Sequence, residues 1–270
     1  MNNLEKQKKK ATEEPWKLVK PLSFGPGSEV WLAKLNGKKV IAKRYPPSNL
    51  PWPLPPDPNV LAKLRHPSIV RFIYSDKDED EVRTDFFSFK PDAISLKEML
   101  QHGTLSELTR ISIIRSAAYG LRYLHEKSAV GPILHGDIAP SNLIVTPTGE
   151  SVWLDVSAFK PETFPLGPGL IWGHPTFMAP EVLNEGPVTI ASEVFAFGLL
   201  VLCCFVGRLP WSKAVTPQDV LGNLAYQNLS KTVSEAALPE PLDKVVGMTL
   251  ALRPEDRPLM SEVVAVLRNS

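Results

Sequence analysis

The chain has 270 residues, 43% of them hydrophobic and 22% charged, with 30 basic and 29 acidic side chains and a formal net charge of +1. That length supports one large domain or two lobes with a real core. The near-neutral balance sets up no global field for nucleic acid or an anionic membrane. The longest apolar run, Val194 to Gly207, is fourteen residues. It is too short for a hydrocarbon core of about 30 Å and reads as a buried helix, so no membrane span is expected. The two cysteines, Cys203 and Cys204, are adjacent and cannot readily bridge. This fits a reducing, cytoplasmic setting, and the terminus MNNLEKQKKK lacks the apolar stretch of a signal peptide.

Residues 1–14, with Lys6 and Lys8 to Lys10, read as a solvated, disordered basic tail. Val30 to Leu35, Asn36-Gly37 and Lys38 to Tyr45 then form a hairpin signal, because Asn-Gly supplies the two positive φ angles of a type I′ turn. The register pairs Leu35 with Lys38, Leu32 with Ile41 and Val30 with Lys43. With side chains alternating at period two, Val30, Leu32, Ile41 and Lys43 share one face. Such a face could cover a flat ring and reach a phosphate with its one lysine. Residues 46–58 hold seven prolines in thirteen positions, which rules out a helix there. Asp57-Pro58 is a good cap and first-turn pair for a short helix from Pro58 to about Arg65. Ile69 to Tyr74 and Thr84 to Phe89 read as strands joined by the acidic loop Asp76 to Glu81.

From residue 92 the pattern turns helical. Leu105 to Glu126 carries apolar residues at three- and four-residue spacing, including Ile111, Ile114, Ala118, Leu121 and Leu124. Ile133-Leu134, Leu143 to Val145 and Val152 to Leu154 are short strands. Helices are expected at Ala191 to Val206, Gln218 to Gln227, Pro241 to Leu252 and Met260 to Leu267. A strand-rich part therefore precedes a helix-rich part, with the join near Lys90 to Ile94, and no internal repeat is present.

The chemistry concentrates in His135-Gly136-Asp137-Ile138-Ala139-Pro140-Ser141-Asn142 and in Asp155-Val156-Ser157. One Asp, an Asn five residues on and a second Asp thirteen residues further suit holding magnesium and a phosphate beside a hydroxyl. This pattern resembles the H-R-D-x-x-x-x-N and D-F-G motifs of the eukaryotic-type protein kinases. The resemblance extends over nearly all of the chain after residue 15. Val40-Ile41-Ala42-Lys43 resembles the V-A-I-K strand, and Gly25-Pro26-Gly27 lies where the glycine-rich loop belongs. Gly173 to Glu181 resembles the G-T-x-x-Y-M-A-P-E end of an activation segment, Glu193 to Gly198 the D-V-W-S-F-G start of the central helix, and Arg257 the partner of the A-P-E glutamate. The resemblance implies an α+β, two-lobed kinase-like fold: a small β-rich N-lobe over residues 15–91 and a larger helical C-lobe over residues 92–270. It also implies catalytic roles for Asp137, Lys43 and Asn142, and magnesium at Asn142 and Asp155. ATP contacts are implied at Gly25, Gly27, Val30, Ile41, Lys43, Ser88, Ile144 and Asp155, with Ser88 in the gatekeeper position and Phe87 its alternative. A buried Glu181–Arg257 ion pair is expected.

Several positions depart from the family pattern. No residue matches the helix glutamate that pairs with the strand lysine; Asp57 aligns best. Ile41 replaces a small alanine, Gly136 an arginine, Ala139 the lysine brought to the γ-phosphate, and His174 a threonine that braces the catalytic aspartate. Val156-Ser157 replaces Phe-Gly, and Glu193 replaces aspartate. The resemblance therefore implies a Ser/Thr protein kinase using ATP and Mg²⁺, with two alternatives. One is a pseudokinase that binds a regulatory partner, for which the proline-rich segment 46–58 around Trp52 offers an extended docking strip. The other is a small-molecule kinase, since H-G-D-x-x-x-x-N also occurs in antibiotic and choline kinases; the A-P-E segment argues against it.

Overall fold

The computed structural model describes residues 15–25, 27–47, 55–103, 105–161, 173–213, 219–220 and 225–268. The basic tail, Trp52 and most of the proline-rich segment lie outside the described residues, as does part of the helix expected at 218–227. The chain divides into two compact units, Met1–Pro58 with Arg71–Phe89 and Asn59–Val70 with Lys90–Ser270.

The first unit is an antiparallel sheet of β1 (Trp16–Gly25), β2 (Ser28–Leu35), β3 (Lys38–Tyr45), β4 (Phe72–Lys77) and β5 (Arg83–Ser88), in the order β1-β2-β3-β5-β4. The β2–β3 hairpin has the register expected from the Asn-Gly turn, with Leu35 opposite Lys38, Leu32 opposite Ile41 and Val30 opposite Lys43. Asn36 and Gly37 both take positive φ, 48° and 79°. One face of this sheet packs Ala33, Val40, Ala42 and Phe86 into a core covered by Trp16, Leu18, Trp31 and Leu35. β1 is an element that the sequence reading does not contain. Pro21 obscures it, yet an edge strand tolerates a missing ladder donor, and β1 is an edge.

Two boundaries also differ from expectation. The helix at Pro58, α1, spans only Pro58–Leu61. β4 begins at Phe72 rather than Ile69, because Ile69 and Val70 are committed elsewhere: Ile69 bridges Trp153 and the Val70 amide donates to the Trp153 carbonyl at 2.9 Å.

The second unit is mainly helical. In chain order it holds β6 (Ile94–Ser95), α2 (Leu96–His102), α3 (Glu107–Arg122), β7 (Leu143–Val145), β8 (Ser151–Trp153), α4 (Pro180–Leu183), α5 (Ile190–Val206), α6 (Ala225–Glu235), α7 (Leu242–Thr249) and α8 (Met260–Arg268). β6, β7 and β8 form a small antiparallel sheet. Ser95 and Ser106 cap α2 and α3 through their hydroxyls, and Thr189 starts α5 with a capping box to Ser192. α5 is buried from Ser192 to Cys204, which explains its nearly unbroken apolar sequence. Burial pushes the Cys203 thiol up to about 11, so it is inert at neutral pH. The α3–β8 contact is tight at Gly120, where a Cβ would stand 2.7 Å from the Trp153 ring. Among the described residues no helix is long and apolar enough to cross a membrane.

Candidate active site

The loop from His135 to Asn142 is anchored from below by α5. The Glu193 carboxylate accepts from the main-chain amides of His135 (3.0 Å) and Gly136 (2.5 Å) and from His125 Nε2 (2.7 Å). Burial pushes the Glu193 carboxyl up, but the hydrogen bond and charge of His125 more than offset it and hold the group below its ordinary value. The extra methylene relative to aspartate is absorbed without loss of the anchor. Gly136 takes φ of 90°, a conformation that favours glycine, so the position expected to hold arginine is built here on backbone geometry instead.

Asp137 is the centre of a hydrogen-bond cluster. Asn142 Nδ2 donates to its carbonyl at 2.9 Å and to Oδ2 at 2.7 Å. His174 donates to Oδ1 twice, from its main-chain N at 3.1 Å and from Nδ1 at 2.9 Å. A carboxylate offers about four lone-pair directions. Three donors leave one, on Oδ2, which is the direction a reacting hydroxyl could use. Burial pushes the Asp137 carboxyl up; the His174 hydrogen bond and charge, with smaller help from His135 and Asn142, outweigh it and hold the group below the usual carboxylate range. The same hydrogen bond, donated to Asp137, and the charge of that carboxylate raise His174 above its ordinary value, against desolvation and the nearby Lys97 charge. Gly173 permits this approach: at φ 93° a Cβ there would meet Asp137 Oδ1 at 3.0 Å and the Gly136 carbonyl at 3.2 Å.

Asp155 follows β8 with φ of 54°, a left-handed conformation that a short polar side chain tolerates and that clusters at functional sites. Its segment is tied to the same loop. The Leu154 amide donates to the Asn142 carbonyl at 2.8 Å, the Ser157 amide to the His135 carbonyl at 2.7 Å, and the Ser157 hydroxyl to the Leu134 carbonyl at 3.1 Å. Ser157 therefore ties the turn to the loop where the family pattern has glycine. Burial lowers the His135 imidazole, which feels the negative charges of Glu193, Asp137 and Asp155 together. Among the described residues no three His, Cys, Asp or Glu side chains are placed to hold a metal. The donor set nevertheless fits magnesium. With Nδ2 turned to Asp137, the Asn142 amide oxygen and the Asp155 carboxylate are hard ligands, and magnesium usually keeps several waters and borrows phosphate oxygens.

In the first unit, Val30, Ile41 and Lys43 share a sheet face as expected, and Gly25 ends β1 opposite Ser28. On β5, Phe87 lies opposite Ile41 and Asp85 opposite Lys43. Ser88 lies opposite Val40, on the other face; a one-residue step along a strand reverses the side chain. Phe87 thus shares the Lys43 face and Ser88 does not. The Lys43 ammonium stands 5.7 Å from the Tyr45 ring centre. Ile144 is the middle residue of β7. Two residues escaped the sequence reading. His174 was read only as a lost threonine, not as a donor to Asp137. Asp85 is fully buried and receives Arg83 Nε at 2.8 Å, Arg83 Nη2 at 2.5 Å and the Ser75 hydroxyl at 2.6 Å. The signal for Asp85 was its place opposite Lys43, directly before the two phenylalanines of β5.

The expected Glu181–Arg257 pair is present, with Nη1–Oε1 at 2.6 Å and Nη2–Oε2 at 2.9 Å. The remaining three guanidinium donors reach the carbonyls of Ala251, Ala191 and Leu252. All five are satisfied, and the group lies 4.8 Å from the Phe195 ring centre.

This arrangement coincides with comparisons to known proteins. The protein kinase domain family matches residues 38–266. The chain is 28% identical over 220 residues to the mitogen-activated protein kinase kinase kinase YODA of Arabidopsis thaliana, covering 78% of this chain and 23% of that protein. It is 26% identical over 263 residues to the serine/threonine-protein kinase TNNI3K of Rattus norvegicus, covering 91% and 30%. It is 28% identical over 274 residues to the tyrosine-protein kinase MasK of Myxococcus xanthus (strain DK1622), covering 93% and 42%. The chain belongs to the protein kinase domain family, of the eukaryotic type. It spans between about a quarter and two fifths of the length of these relatives.

Proposed function

We propose that this chain transfers the γ-phosphoryl group of Mg²⁺-bound ATP to a Ser or Thr hydroxyl of a protein. The observation that supports this most is the Asp137 carboxylate, fixed by Asn142 and His174 with one lone-pair direction left on Oδ2. In this reading Asp137 orients the hydroxyl and takes its proton as the new oxygen–phosphorus bond forms and the bond to the β-phosphate oxygen breaks, releasing ADP. Asn142 and Asp155 would hold magnesium, which would supply charge neutralisation on the phosphates. Lys43 neutralises phosphate from β3, while Gly25, Gly27, Val30, Ile41 and Ile144 bound the nucleotide, with Phe87 rather than Ser88 on the Lys43 face. His174 supplies positive charge near the position where Ala139 stands in place of a lysine. A regulatory protein could dock on residues 46–58, and a cytoplasmic location belongs to the same proposal.

A second reading, a nucleotide-responsive scaffold without turnover, is favoured by Gly136 and Ala139, which remove two cations from the site. Loss of a charge-stabilising donor costs roughly 10²–10³-fold in rate. The test is phosphoamino-acid analysis after incubation with γ-labelled ATP and a mixed protein substrate. Label on Ser or Thr supports the proposal, and label on Tyr alone contradicts its hydroxyl class. No label, together with a Mg²⁺–ATP melting shift, supports the scaffold. Nucleotide at about 100 times Kd should stabilise the fold by about 2.7 kcal/mol.

A further inference from the structure

The second unit carries a groove of about 440 Å³ that opens directly beside the Asp137–His174 pair. One wall is α2, with Lys97 and Leu100; the opposite wall is the end of α5 and the turn after it, with Arg208 and Leu209. Ala139 and Ser141 of the loop that carries Asp137 close the end. His174 belongs both to this groove and to the Asp137 cluster: Nδ1 meets the carboxylate, and Nε2 lies 3.5 Å from the Ser141 hydroxyl. Between these charges the lining is apolar at Leu100, Leu209 and Ala139. The charges are one-sided. Lys97, Arg208 and His174 line the groove; the Asp137 carboxylate 2.9 Å from His174 answers that imidazole, so Lys97 and Arg208 carry the excess, and no Asp or Glu lines the groove among the described residues. Lys97 and Arg208 are both exposed, so each can reach a ligand without leaving a buried partner behind. Arg208 Nε donates to Ser212 at 2.6 Å, which leaves the rest of its fork for a carboxylate.

We infer that this groove binds the peptide around the acceptor hydroxyl and selects for acidic side chains, Asp or Glu, within a few residues of it. The inference rests on the phosphotransfer reading for the hydroxyl at Asp137, but the binding preference itself does not require turnover. An extended peptide would lay alternate side chains on the apolar lining, and acidic side chains along its edges would come within reach of Lys97 on one wall and Arg208 on the other. A basic peptide would meet Lys97 and Arg208 as like charges with nothing to offset them.

The test uses two fluorescent peptides that share a central Ser and the same apolar residues, one flanked by Asp and Glu, the other by Lys and Arg. Binding to the whole 270-residue chain is read by anisotropy. The acidic peptide should bind at least about 10-fold tighter, the effect of two modest surface charge contacts. The double variant Lys97→Glu/Arg208→Glu should abolish or invert that preference while its melting temperature and Mg²⁺–ATP affinity stay as in wild type. Lys97→Ser/Arg208→Ser should give an intermediate result. Equal binding of the two peptides by wild type, or an acidic preference that survives the charge reversal, would overturn the inference. If the preference behaves as described but no phosphate is ever transferred, the groove assignment holds and the phosphotransfer reading alone falls.

Discussion

At the residue scale, the account turns on how Asp137 is held. The spacing of Asp137, Asn142 and Asp155, read with the kinase motifs it resembles, was enough to single these three out. It was not enough to find the His174 bond, which spans 37 residues and depends on Gly173 in a conformation no residue name announces. Gly173→Ala should therefore lower turnover by about 10- to 100-fold, the usual cost of disturbing a supporting shell, with Mg²⁺–ATP affinity little changed; an unaltered rate would remove Gly173 from the account. The pair also carries a pH signature. His174 is raised above its ordinary value, so its contribution to stability is fully present below about pH 6.5 and is lost as pH rises through the raised value. Asp137 is lowered, so its contribution is present above about pH 3.9 and is lost as pH falls through the lowered value. The melting difference between wild type and His174→Gln should thus be largest between those limits and shrink as pH rises through the raised His174 value. A difference that is flat with pH would show that His174 carries no charge there.

At the element scale, the hairpin was legible to the residue, since Asn-Gly fixes both turn and register and leaves little else to decide. Helix ends were less legible. α3 stops at Arg122 and continues as a wider turn over Tyr123–Lys127, where tertiary contacts rather than propensity set the boundary. β4 started late for the same reason, its expected first residues being drawn to Trp153. The Glu181–Arg257 pair links the start of α4 to the chain before α8. With the Arg257 side chain fully buried and all five donors used, Glu181→Gln should destabilise by about 3–5 kcal/mol, the cost of an uncompensated buried charge. Urea denaturation checks this, and a loss below about 1 kcal/mol would contradict it. On β3, Lys43→Met should weaken Mg²⁺–ATP binding or turnover; a variant equal to wild type in both would withdraw the role proposed for that lysine.

At the scale of the whole molecule, the order of a strand-rich part followed by a helix-rich part was visible in the periodicities alone. What periodicity could not show is that residues 59–70 group with the helical unit. Their apolar residues follow no period that names a partner, and contacts with Trp153 and Tyr123 reveal it: the Val70 amide donates to the Trp153 carbonyl at 2.9 Å, the Arg65 amide donates to the Tyr123 hydroxyl at 2.8 Å, and His66 stacks on the same ring at 5.1 Å. Long-range anchors such as His125–Glu193, 68 residues apart, are likewise invisible to local patterns. The altered positions fall unevenly. Gly136, Ala139 and His174 change the surroundings of Asp137, while Asp137, Asn142 and Asp155 themselves are kept and Glu193 anchors the loop from beneath.

The central claim is that the Asp137 carboxylate, as held here, promotes phosphoryl transfer. The most direct measurement is the single-turnover rate of γ-phosphate transfer to protein at saturating Mg²⁺–ATP, for wild type and Asp137→Asn. The account predicts a measurable wild-type rate that falls by at least about 10²-fold in the variant while nucleotide affinity is unchanged. Equal rates in the two proteins, or no transfer by wild type with nucleotide bound, would contradict it.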